Sequence, residues 1–177
     1  MKRAIAVWTA MLVCAFVVFG QAPPSGPPKP GPEHKRLGYL AGNWHLEGVT
    51  KPGPFGPGGK VDVTEHNELF PGGFFVVLHA EGKGPMGAEK SLATLGYDRQ
   101  QKSYILNSIS SLGIGWSAKG TVEGDTWTFA TDLMGGSLKV RIILKELSAT
   151  SMIFKFESSS ADGPWETMME GKGTKAE

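Results

Sequence analysis

The sequence predicts an all-β protein: a closed antiparallel meander β-barrel of about ten strands, with a short N-terminal plug helix. Three observations carry this. Period-two alternation of apolar and polar residues persists from about residue 43 to the C-terminus, with no second helical pattern to supply a crossover. Three separate hairpins each place their apolar residues on one shared face. A ten-strand meander also leaves two unpaired edges unless it closes, so closure is the economical outcome.

The elements follow in order. EHKRLGYLAGNWHLEG, from Glu33 to Gly48, reads as a helix over Glu33–Leu40 that turns through Gly42 into a first strand opening at Trp44. Further strands begin near Lys60, Phe74, Lys90, Ser103, Gly115, Asp125, Leu138, Met152 and Trp165. Around Pro71-Gly72-Gly73, Leu69 pairs with Phe74. Val63, Glu65, Asn67, Leu69, Phe74, Val76 and Leu78 then share the inward face, and His66 and His79 lie diagonally on the outer one. A turn at Glu123-Gly124 pairs Gly120 with Trp127 and Ala118 with Phe129. A loop at Leu147-Ser148-Ala149 aligns Val140, Ile142 and Leu144 with Met152, Phe154 and Phe156.

The connections are of two kinds. FPGG, DRQQK, EGD and LSA are tight and polar, and they share the end where Trp44 starts and the helix plugs the barrel. The opposite connections are longer, rich in glycine and tipped with Phe55, Met86, Leu112, Ile114, Leu133 and Met134. That end is the expected mouth.

Before residue 33 the chain reads differently. Lys2 and Arg3 followed by an apolar run to Phe19, then Gly20 and Ala22, have the pattern of a secretory signal peptide over residues 1–22. A cut before Gln21 or after Ala22 fits, with an uncleaved anchor as the alternative. The expectation is an exported protein, periplasmic or extracellular. Cys14, the single cysteine, falls inside this segment, so the mature chain would have neither disulfides nor thiol chemistry. Residues 23–32 (PPSGPPKPGP) read as an extended proline-rich spacer before one domain over residues 33–177.

Charge and motifs narrow the function. Eighteen basic and 17 acidic side chains leave a net charge of +1 with no basic stripe, which argues against nucleic acid as a partner. No nucleophile elbow, phosphate loop, catalytic carboxylate pair or Ser-His-Asp ordering occurs, so nothing points to an enzyme. His66 and His79 lack a third ligand at a recognisable spacing, so no metal site is expected. Glu65 and Asn67 stand out, because polar groups facing a lumen must find a partner there: protein, water or ligand. The expected lumen lining is Trp44, Val63, Glu65, Asn67, Phe74, Trp116, Trp127, Phe129, Phe154 and Phe156, with Trp165 a further candidate; packed core is the alternative for the tryptophans.

Gly42-Asn43-Trp44 resembles the glycine-any-tryptophan signature of lipocalins and the wider calycin superfamily. The last strand offers Lys172 where lipocalins set an arginine over that tryptophan, and Arg141 falls on the outer face, so the match is incomplete. Over almost the whole region after the spacer, EHKRLGYLAGNWHLEG, LFPGGFFV and LGYDRQQKSYI resemble an exported bacterial domain-of-unknown-function family (1579) with a lipocalin-like barrel. That resemblance implies a fold and an export route and no activity. The resulting expectation is a non-catalytic binder of a small hydrophobic or amphipathic molecule. The alternatives are an interaction module that sets its apolar loop tips on a protein or membrane surface, and a haem barrel. Ten-strand haem-binding barrels, the nitrobindins, share this architecture, and haem would need Met152 or Met169 as an inward axial ligand.

Overall fold

The computed structural model describes residues 26–53, 56–133, 136–160 and 163–176. The N-terminal stretch through residue 25, Phe55 and Met134 lie outside these. A short helix α1 (Pro32–Arg36) runs into a 3-10 turn at Leu37–Tyr39. Ten strands follow: β1 (Gly42–Thr50), β2 (Gly59–Leu69), β3 (Phe75–Gly84), β4 (Gly87–Asp98), β5 (Ser103–Ser110), β6 (Gly115–Glu123), β7 (Thr126–Leu133), β8 (Leu138–Ser148), β9 (Ser151–Ser160) and β10 (Glu166–Lys175). Each pairs antiparallel with its sequence neighbours, and β1 pairs with β10, closing the barrel.

Closure depends on close approach at the seam. Gly48 of β1 and Gly171 of β10 are direct partners, and the Phe154 ring of β9 lies over both. A methyl group on Gly171 would sit 2.5 Å from Phe154 Cζ and 2.7 Å from Gly48 Cα. The missing side chains are what let the ring cover the junction.

The plug sits at the tight-turn end, as expected, and its contacts show why. Leu37 and Leu40 are buried in the core beside Trp127, Phe129 and Tyr104. Arg36 donates to the Gly124 carbonyl in the β6–β7 turn, Tyr39 to Ser151 at the start of β9, and Arg99 of the β4–β5 turn to Lys29. The buried Tyr104 hydroxyl donates to the Glu33 carbonyl at 3.0 Å, and burial raises its pKa to about 12. His34 is also buried, edge-on between Phe74 and Tyr97.

The three expected hairpins keep their faces and slide by two residues. Leu69 pairs with Val76 rather than Phe74, because Pro71 and the positive-φ pair Gly72 and Gly73 form a larger turn closed by Phe70 N–H to Phe75 O. Phe74 leaves the ladder and turns to His34. His66 then stands directly opposite His79, not diagonal to it. Gly120 pairs with Phe129 and Val122 with Trp127, across a two-residue turn at Gly124-Asp125. Leu144 pairs with Phe154, past an irregularity between Glu146 and Ser148.

Candidate functional site

Register divides the barrel interior into two zones. Toward the plug, large side chains fill it: Trp44, Val76, Leu95, Tyr104, Trp127 and Phe129 are all buried. Toward the mouth, several inward positions of β1 to β5 are smaller: Gly48 on β1, Val61 and Val63 on β2, Ala80 and Gly82 on β3, Ser91 and Ala93 on β4, and Ser108 on β5. All are half-buried although they point inward, whereas the inward Val140 and Leu138 on β8 are buried. Trp116, partner of Ser108, and Phe156 are also half-buried and inward, and pack against the buried core.

The expected lining residues therefore separate. Val63, Glu65, Trp116 and Phe156 face the accessible zone. Trp44 at 1 %, Trp127 at 0 % and Phe129 at 1 % exposure are packed floor, and Phe154 is buried over the seam. Phe74 lies outside the strands against the plug. Trp165 is on the outer surface, its ring 4.3 Å from the Arg141 guanidinium, which also pairs with Glu157. Met86, Leu112 and Ile114 are exposed at the mouth, and Leu133 is half-buried there.

Between the zones lies a small polar cluster. Glu65 and Asn67 are two residues apart on β2, so both side chains point inward. The Asn67 Nδ2 group donates to Glu65 Oε2 at 2.8 Å and to the Leu40 carbonyl at 3.2 Å. That carbonyl, at the end of the plug, also accepts from Trp44 Nε1 at 2.9 Å. Turning the amide round would set its oxygen against both acceptors, so its orientation is fixed. In that orientation Asn67 Oδ1 is buried and has no protein partner. No ion pair involves Glu65 among the described residues, and burial raises its carboxyl pKa, partly offset by the Asn67 bond.

The raised pKa has a stability consequence. A carboxyl whose folded pKa lies above its unfolded value contributes stability below the unfolded value and loses it as pH rises through the folded one. Once pH exceeds its folded pKa, the ionised Glu65 is a cost. Glu65→Gln removes it, and the new amide can donate to Asn67 Oδ1 while still accepting from Nδ2. The variant should be more stable at pH 7 by on the order of 1 kcal/mol, a rise in Tm of about 2–4 °C, with the advantage shrinking toward pH 4. Thermal melts across that range check it.

Two contacts escaped sequence reasoning. The cation over Trp44 is Lys175, its Nζ 5.1 Å from the ring, while Lys172 points outward to Glu47. Glu146 takes the Trp127 indole N–H at 2.7 Å and pairs with Arg36 at 2.9 Å. Lys175 is in register with Trp44 at the seam, so pairing β10 with β1 would have found it. The Arg36–Glu146 pair spans the plug and β8, which periodicity does not connect.

His45, His66 and His79 are on the outer face and His34 is within the plug packing, so none faces the accessible zone. His66 Nδ1 meets Asn43 Oδ1 at 2.7 Å, and no group of three metal-binding side chains occurs among the described residues. Met152 is buried beside Gly173, which leaves Met169 as the inward thioether.

Similar folds occur in solved structures. Rv2717c from M. tuberculosis matches with a TM-score of 0.62 and 12 % identity, over 83 % of this chain and 99 % of that one. The S-type phycobiliprotein lyase CPES from Guillardia theta matches with a TM-score of 0.53 and 9 % identity, over 84 % and 99 %. At these identities the likeness is one of fold, that of lipocalin-like barrels. A comparison with curated proteins finds no match. The family model described as "Protein of unknown function (DUF1579)" matches residues 29–175, and with that span the chain belongs to this family.

Proposed function

We propose that this is an exported, non-catalytic barrel that takes up a small hydrophobic or amphipathic molecule through its mouth. The observation that supports the reading is the contrast between a plug end filled by buried aromatics and the small, half-buried inward residues that β2 to β5 carry toward the mouth. A concave, mostly apolar space with few polar groups is the usual form of a small-molecule site. Trp116, Phe156 and Val63 would contact the apolar body, and Glu65 with Asn67 would orient the polar end. The test is native mass spectrometry of the protein from its own host, followed by denaturing extraction. A stoichiometric apolar or amphipathic molecule is expected. A barrel that carries nothing and takes up no neutral dye would sink the reading.

A second reading rests on the exposed apolar tips Met86, Leu112 and Ile114, which suit a surface contact. Polar substitution at Leu112 and Ile114 would abolish such docking and leave lumen uptake intact.

A further inference from the structure

The geometry points to the class of ligand: an amphipathic amine, whose protonated nitrogen enters first and donates to Glu65 and Asn67 at the boundary of the packed floor. This inference rests on the lumen-binding reading and adds the chemistry of its deep end.

The polar groups there are deficient in donors. Asn67 Nδ2 spends both hydrogens, on Glu65 and on the Leu40 carbonyl, and the Trp44 indole spends its single one on the same carbonyl. What remains is acceptor only. Asn67 Oδ1 has no protein partner in a residue that is 3 % exposed, and the Glu65 carboxylate has one hydrogen bond and no counter-ion among the described residues. An orphaned buried acceptor is costly and is recovered by a ligand that brings the donor. A carboxylate, sulfate or phosphate headgroup would bring more acceptors and a like charge, and would be repelled. A hydroxyl brings one donor. An ammonium brings up to three and a charge that matches Glu65.

The surrounding residues agree. Lys175, the cation nearest this end by register, is occupied over the Trp44 and Tyr39 rings and forms no ion pair with Glu65. Ala80 directly beside Glu65 and Val63 above it are apolar and half-buried, so an alkyl or aryl body follows the nitrogen without further polar demands. Burial holds the Glu65 pKa up, and a bound ammonium would draw it down again, so the site is electrostatically incomplete without its ligand.

The test uses the full chain loaded with Nile red, a neutral dye, and displaces it at pH 7 with decylamine, decanoate or decanol. These three share the alkyl chain and differ in the head. Decylamine should bind at least tenfold tighter than either of the others. Glu65→Gln should reduce the ratio of decylamine to decanol affinity by at least tenfold, while its melting temperature rises, so a folding defect cannot imitate the result. If decanoate or decanol matches decylamine, or the ratio survives in Glu65→Gln, the amine assignment is overturned and lumen binding stands. If the dye does not bind, or none of the three displaces it, the lumen reading falls and the assignment with it.

Discussion

Trp127→Ala should destabilise the barrel by about 3–5 kcal/mol, measured by chemical denaturation. The indole is fully buried where β7 meets the plug, stacked toward Phe129 at 6.4 Å and tilted against Tyr104 at 5.1 Å. Truncation leaves a cavity bounded by strands that cannot collapse independently, because each is held in the closed ladder. It also takes the indole N–H away from Glu146, whose remaining partner is Arg36 of the helix. Both the core and the tie between plug and barrel would weaken together. A loss below about 1 kcal/mol would mean that the plug end is not the packed floor described above.

Gly171→Ala should cost about 3 kcal/mol or more, at the upper end of what overpacking does. Its Cβ would meet the Glu47 carbonyl oxygen and the Gly48 backbone as well as the Phe154 ring. A flexible side chain could give way, but backbone on the paired strand cannot without opening the β1–β10 ladder. That ladder is the closure of the barrel, so hydrogen exchange should rise first in β1 and β10. Uniform acceleration across all ten strands would argue that the seam is no weaker than the rest.

The contrast between these positions shows what the sequence made visible. Alternation along Val63-Glu65-Asn67-Leu69 and Val140-Ile142-Leu144 identified faces correctly, because a strand that buries one side must repeat with period two. It did not set the offset between strands. A slide of two residues preserves every face, so Leu69 opposite Phe74 and Leu69 opposite Val76 look alike until the size of the turn is known. The polar pair Glu65 and Asn67 was legible for the same reason: polar residues at inward positions break the pattern. Which lining residues are packed floor was not legible. Trp127 and Trp116 are the same residue type at inward positions, and only distance from the plug separates a buried tryptophan from a half-buried one. Lys175 over Trp44 depends on the first strand meeting the last, a contact between chain ends that no local pattern encodes.

The most direct measurement of the central claim is Nile red binding to the protein and to two variants. Ala93→Trp fills the mouth half from an inward, half-buried position on β4. Ile109→Ser removes an apolar side chain that is 61 % exposed on the outer face of β5. With all three folded by thermal melt, the lumen account predicts one saturable site that survives Ile109→Ser and is lost in Ala93→Trp. Dye binding that survives Ala93→Trp and disappears with Ile109→Ser would contradict it, and would place the apolar binding surface outside the barrel.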